Sequence, residues 1–306
     1  MRAITYSRYG GPDVLELTDQ PMPKVGPDSV LVRVRATSVN PVDWKVQAGY
    51  LDPVLDIRFP AIPGWDVAGV VEQVGFDTPE LSVGDEVYGY VRKDLLQGGT
   101  FAEYVAAPVR TLAAKPASLT FEEAAAVPLT GLTAYQTIER SGLREGQTVL
   151  VHAAAGGVGS FAVQIAAARG ARVIGTASES NHEFVRSLGA EPVTYGEGLA
   201  GRVRAIAPDG VDVVLDYVGG DALASTPDVL ADGGTAVSIA DPAVRELGGI
   251  YAWVRPSSED LTALGTLIDD GKVAVHVAEV FDLADAARAQ ELSATGHVRG
   301  KVVVRV

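Results

Sequence analysis

The stretch Val149-Leu-Val-His-Ala-Ala-Ala-Gly-Gly-Val-Gly159 decides how this chain folds. The short apolar run Thr148 to Ala153 reads as a buried strand, and Val158 to Arg169, stopped by Gly170, reads as a helix. The small residues between them align to G-x-G-x-x-G as Ala154-x-Gly156-x-x-Gly159, so the first glycine is Ala. That pattern asks for a tight turn, close backbone approach to a pyrophosphate at Gly156, and close helix–sheet packing at Gly159. The helix N-terminus adds unpaired N–H groups and a dipole that favours phosphate charge. Alone the glycines are a weak signal; between a strand and a helix they imply dinucleotide binding.

Downstream the alternation continues. Ala171 to Ala177 reads as a strand, Phe184 to Leu188 as a helix ended at Gly189, and Pro192 to Tyr195 as a further strand. Val211 to Asp216 and Thr235 to Ile239 are two more apolar strands. Strands alternating with helices predict parallel βαβ units and an α/β doubly wound sheet. The end of the 171–177 strand bears on the cofactor, because an Asp or Glu there would bind the ribose 2′-hydroxyl of NAD. Ala177 and Ser178 stand there instead, leaving space for a 2′-phosphate to which Ser178 can donate, with Asn181 and His182 nearby; Glu179 would repel that phosphate if it pointed inward, and a solvent-facing side chain is the commoner state of a loop acid. The reading favours NADPH over NADH.

Upstream, residues 1–119 carry short β-rich runs (Val30 to Ala36, Val67 to Val74, Glu86 to Tyr90, Phe101 to Ala107) cut by Gly and Pro, which predicts an antiparallel, barrel-like domain. Ser118 to Glu123 reads as a helix start with early acids, which places a domain boundary there. Beyond residue 256 come a helix from Ser258, a strand Val273 to Val277, a helix from Asp282 to about Ala294, and a closing run Lys301 to Val306. The β-type ending predicts a return to the first domain, so 1–119 with 256–306 form one discontinuous domain and 120–255 the other.

The 306 residues, 47% hydrophobic and 21% charged, suffice for two buried cores. A net charge of −14 opposes a sequence-independent grip on nucleic acid. No cysteine is present, which excludes disulfides, thiolate catalysis and Cys-ligated zinc. Met1 to Asp13 reaches charged and turn residues before any apolar run, and no stretch of about 18 apolar residues occurs, so a cytoplasmic protein without membrane spans is expected.

Six segments occur in order: Val39-Asn-Pro-Val-Asp43, Pro63-Gly-Trp-Asp-Val-Ala-Gly69, Gly99-Thr-Phe-Ala-Glu-Tyr104, Ala126 to Tyr135, the Ala-Ala-Gly-Gly-Val-Gly loop, and Gly300-Lys-Val-Val-Val304. Together they make the whole chain resemble the zinc-independent quinone oxidoreductase, zeta-crystallin-like branch of the medium-chain dehydrogenase/reductase superfamily. The resemblance implies a GroES-like β-rich catalytic domain, a Rossmann domain, an NADPH cleft and a homodimer. By similarity, the zinc-ligand positions of metal-dependent relatives are filled by Asn40, Trp65 and Leu129, which implies a metal-free site. The acceptor implied is a quinone; the alternative is an enone, alkenal or enoyl thioester, and a non-catalytic structural or RNA-binding role stands behind both.

The resemblance also implies site residues. Tyr50, Asn40 and Asp43 would lie on the catalytic-domain wall facing the nicotinamide, with Tyr50 bonding or protonating the acceptor oxygen. Thr130 would sit near the nicotinamide ribose, Gly156, Gly157 and Val158 at the pyrophosphate, and Ser178 and His182 at the 2′-phosphate. Tyr195, Val218, Ile239 and Ala240 would line the adenosine and nicotinamide sides.

Overall fold

The computed structural model describes all 306 residues, in two compact units. Unit 1 holds Met1–Leu132, Pro256–Asp269 and Val275–Val306; unit 2 holds Thr133–Arg255 and Asp270–Ala274.

Unit 2 is a six-stranded, wholly parallel sheet in the spatial order Glu191–Thr194, Arg172–Ala177, Thr148–Val151, Val211–Asp216, Leu230–Ser238, Ile250–Tyr251. Numbered along the chain this is 3-2-1-4-5-6, the dinucleotide-binding order whose crevice opens at the carboxyl ends of the strands. The central strands are apolar because helices cover both faces: Val149, Leu150, Ile174, Val214 and Leu215 are buried.

Unit 1 is built on a seven-stranded, mainly antiparallel sheet around the long strand Ser29–Val39. That strand pairs with Asp66–Val74, with Tyr104–Pro108 and with the C-terminal Lys301–Arg305. The tail returns in register, with Val302 opposite Val39 and Val304 opposite Thr37, and Val302, Val303 and Val304 are all buried, so both faces of this strand are covered.

The elements depart from the sequence reading in three places. The helix expected after Ser118 is two helices, Phe121–Ala125 and Pro128–Ser141, because helical backbone is disfavoured at Val127, the residue preceding Pro128. Thr120 caps the first one, its hydroxyl accepting from Glu123 N while the Glu123 carboxylate accepts from Thr120 N. That short helix packs on the strands of unit 1, so unit 1 extends to Leu132 rather than 119. Val273 to Val277 is not a strand. Gln164 holds Ala274 through two bonds (2.8 and 3.1 Å), tying 270–274 into unit 2, and the strand begins at Val277 and runs to Asp282. No helix is long and apolar enough to cross a membrane.

Candidate active site

In unit 2 the strand Thr148–Val151 ends in a turn that turns back at Ala153, whose φ of 53° is left-handed. Thr176 fixes this turn from the neighbouring strand: its hydroxyl accepts from Ala153 N at 3.1 Å and its carbonyl from Ala154 N at 2.9 Å. The 12-residue helix Gly157–Ala168 follows with Gly156 at its cap. A side chain at Gly159 would bring Cβ to 2.1 Å from Ala153 O, so only glycine lets helix and turn meet. Gly156, Gly157 and Val158 are half-buried and open on one side. The first-turn N–H groups of Gly157 and Val158 have no intrahelical acceptor. This cradle of bare backbone fits a pyrophosphate.

At the carboxyl end of Arg172–Ala177 the side chains are neutral donors. Ser178 and Ser180 share a hydroxyl–hydroxyl bond of 3.0 Å, and Asn181 Nδ2 donates to Ser178 Oγ at 3.1 Å. His182 Nε2 lies 3.4 Å from Thr194 Oγ1, and Glu179 is exposed. Ser180 completes a cluster that the sequence reading drew only from Ser178, Asn181 and His182.

Two further strand ends are coupled by a residue the sequence reading passed over. Buried Asp216 accepts from Val218 N and Gly219 N (each 2.9 Å) and from Ser238 Oγ (2.6 Å). The Ser238 hydroxyl in turn accepts from Ala240 N and Asp241 N. The Val218 and Ile239-Ala240 segments, both expected at the cofactor, are therefore held to one carboxylate. An acid closing the apolar run Val211–Asp216 was the available signal. Val218 and Tyr195 are exposed on these loops.

In unit 1 the expected wall residues take up unlike positions. Tyr50 is 70% exposed, just beyond the helix Pro41–Gln47, its backbone N donating to Lys45 O at 3.0 Å. Asn40 and Asp43 are buried, and their polar atoms point into protein. Asn40 caps that helix, and Asp43 closes the cap by accepting from Asn40 N at 2.7 Å. The Asn40 side chain accepts from Lys301 Nζ (2.6 Å) and donates to Asp66 Oδ2 (2.8 Å). Lys301 also donates to Val39 O at 2.7 Å. Asp66 accepts from Ser38 Oγ at 2.7 Å and from Leu129 N at 2.8 Å, in the first turn of Pro128–Ser141.

Asp66 receives three donors, an arrangement that suits a carboxylate, and Lys301 supplies the balancing charge through the Asn40 amide rather than by direct contact. Burial alone pushes Asp66 up and Lys301 down, and each opposes the shift of the other. Asp43 is pushed up to about 7, first by burial, with the cap bond from Asn40 and the Lys301 charge acting against it and the Asp66 charge acting with it. Its second oxygen, Oδ1, is buried without a hydrogen-bond partner, as suits a carboxyl that is easily protonated. Thr130 is buried and donates to Ala126 O at 2.9 Å, leaving its oxygen able to accept. Trp65 is buried edge-on to Tyr90 at 6.0 Å between centroids. The sequence reading gave Asp66 and Lys301 no role, because nothing in their local context marks them as partners.

Two family patterns match: the alcohol dehydrogenase GroES-like domain over residues 26–117, and a zinc-binding dehydrogenase domain over residues 188–304. A 2-methylene-furan-3-one reductase of Solanum lycopersicum is 36% identical over 314 residues, 99% of this chain and 79% of the relative. An NADPH-dependent alkenal/one oxidoreductase of Arabidopsis thaliana is 38% identical over 315 residues, again 99% of this chain and 79% of the relative. The solved quinone oxidoreductase of Coxiella burnetii superposes with a TM-score of 0.91 at 36% identity, covering 100% of this chain and 99% of that one. The chain belongs to the zinc-independent quinone oxidoreductase branch of the medium-chain dehydrogenase/reductase superfamily. It is an oxidoreductase with a GroES-like unit and a Rossmann unit.

Proposed function

We infer that this oxidoreductase transfers hydride from NADPH to a quinone, and that α,β-unsaturated carbonyls (enones, alkenals or enoyl thioesters) are its second class of acceptor. The observation that carries the reading is the bare-backbone cradle Ala153–Gly159 beside a neutral hydroxyl and amide cluster at Ser178, Ser180 and Asn181. NADPH, when bound, supplies the hydride. Gly156, Gly157 and Val158 would hold its pyrophosphate by N–H donation, and Ser178 with its neighbours the 2′-phosphate, since no acid replaces Ala177 or Ser178. His182 adds an imidazole rather than a permanent cation, so the preference over NADH is modest. Thr130, Tyr195, Val218, Ile239 and Ala240 line the remaining cofactor surface in this reading.

The acceptor is a small molecule that takes hydride without a Lewis acid. The positions that would ligate zinc carry Asn40, Trp65 and Leu129, and the Asn40 amide and Leu129 N–H both bond to Asp66, which supports a zinc-independent reaction. Tyr50 is the residue whose hydroxyl would orient or protonate the acceptor oxygen, because its side chain is exposed. Asn40 and Asp43 are positioning residues in this reading, since their polar atoms serve the helix cap and the Lys301–Asp66 network. Homodimeric assembly and a cytoplasmic setting complete the proposal; they rest on family resemblance and on the sequence, and light scattering tests the first. The net charge of −14 weighs against RNA as a partner.

The test is a panel of quinones and enones assayed by NADPH oxidation with parent and Tyr50→Phe. Enones should lose about 10²-fold in turnover, the low end of general-acid help, because their enolates need a proton. Quinones should lose less, since water can protonate a hydroquinone anion, and NADPH affinity should hold. Full activity of the variant on both acceptors would make Tyr50 a bystander; no turnover of either class by the parent would end the reading.

A further inference from the structure

We propose that Lys93 is a site of covalent capture for small α,β-unsaturated carbonyls, formed by conjugate addition of its amine inside a cavity of unit 1. The cavity holds about 290 Å³ and is lined by Met1, Gln20, Met22, Ile62, Lys93 and Tyr104 among others. It has mostly apolar walls with a few polar groups, a combination that admits a small organic carbonyl compound. None of the residues named for NADPH or the acceptor lines it.

The other lysines show why this one stands apart. The chain has six and no cysteine, so amines and histidines are its principal soft-electrophile targets. Lys301 is buried and donates to Val39 O and Asn40 Oδ1. Lys115 donates to Leu119 O at 2.6 Å and faces Glu86 at 3.3 Å. Lys272 faces Asp270 at 3.6 Å. Lys24 and Lys45 are exposed, where water stabilises the ammonium, and Lys45 Nζ also lies 5.4 Å over the Trp44 ring, which stabilises its charge further. Lys93 is half-buried, has no carboxylate within 4 Å, and makes one long contact, to Gly98 O at 3.5 Å. Burial without a compensating acid holds its amine below the ordinary lysine range, which raises the share that carries a free lone pair.

The chemistry balances without a further reagent. The lone pair of neutral Lys93 Nζ bonds to the β-carbon of the acceptor as the C=C π pair moves into the carbonyl, forming an enolate. The proton lost from nitrogen, passed through water, ends on the α-carbon, and the product is a saturated carbonyl carried on Lys93. The inference rests on the proposed function only in the class of electrophile; adduct formation needs neither NADPH nor hydride transfer.

The experiment exposes the purified, full-length protein to limiting methyl vinyl ketone at neutral pH without NADPH, and maps adducts by peptide mass spectrometry. Lys93 should be occupied about 10-fold faster than Lys24 and Lys45. A bulky enone such as chalcone should lose this preference, because the cavity no longer admits it, while the exposed lysines set the reference for its intrinsic reactivity. Lys93→Arg, which keeps the charge, should lose the fast adduct with unchanged circular dichroism. Equal labelling of Lys24 and Lys45, or modification confined to the N-terminal amine with Lys93 spared, would overturn the proposal. NADPH oxidation by untreated protein is measured separately, so failure of the reductase reading and failure of Lys93 capture give different results.

Discussion

The two units solve the problem of a fixed polar surface by opposite means. In unit 2 the glycine-rich loop is shaped by backbone: a left-handed turn at Ala153, a glycine at 159 against Ala153 O, and N–H groups left open at a helix start. In unit 1 the wall around Asn40 is held by buried charge, with Lys301, the Asn40 amide and Asp66 linked in a chain that ends on Leu129 N. A backbone device needs only the right residues within a few positions. A buried charge network needs every member present, because an ion left without its partner in the interior is costly. The contrast predicts that substitutions in unit 1 act mainly on stability and substitutions in the loop mainly on cofactor binding.

The largest effect should come from Lys301→Met. Removing the cation leaves Asp66 and Asn40 buried without their counter-charge, which should destabilise the fold by about 3–5 kcal/mol. Denaturant unfolding checks this, and a loss below about 1 kcal/mol would show that the network is not the prop of unit 1. Gly159→Ala should add a binding effect that Lys301→Met lacks, with NADPH binding weakened at least ~10-fold in fluorescence titration beside a stability loss of about 1–3 kcal/mol from the overpacked turn. If binding survives, the cradle is more plastic than its 2.1 Å clearance implies.

Asp43 sharpens the comparison through pH. Its carboxyl is pushed up to about 7, mainly by burial, from an ordinary value near 4. A group whose native value lies above its unfolded value favours folding most when protonated, so its contribution is full below about pH 4 and declines as pH rises towards 7. Asp43→Asn keeps an oxygen for the Asn40 N–H and cannot ionise. Melting temperatures of parent and variant followed from pH 4 to 8 should therefore shift in favour of the variant as pH rises, and parallel curves would place the Asp43 titration elsewhere. The smallest effect belongs to Ala153→Gly. A left-handed residue with a Cβ costs about 1–2 kcal/mol, and the added freedom of glycine in the unfolded chain offsets about 0.4–1 of that. A gain of a few tenths of a kcal/mol is expected, and a clear loss would mean that Ala153 is not strained.

What could be read from the sequence was local. The strand, glycines and helix of residues 148–169 sit within one βαβ unit, so period and spacing were enough to place Gly156, Gly157 and Val158 in the loop the structure shows. Ser178 and Asn181 were equally readable, since a strand end and the turn after it are fixed by neighbours along the chain. The left-handed backbone of Ala153 was not, because alanine does not announce that conformation; the bonds from Thr176 on the adjacent strand impose it. Asn40 and Asp43 could be picked out as residues, but their bonds to the helix cap and to the Lys301–Asp66 network come from packing that no local pattern shows. Lys301 and Asn40 lie 261 positions apart. Their meeting is decided by the register that sets Val302 opposite Val39, and a shift of one residue would move the Lys301 amine away from Asn40 Oδ1 and Val39 O. The sequence alone determined the α/β class of two units and the strand–turn–helix of the glycine-rich loop, because both depend on short-range pattern. The charged wall was decided only by tertiary structure, where a sheet register brings distant residues to bonding distance.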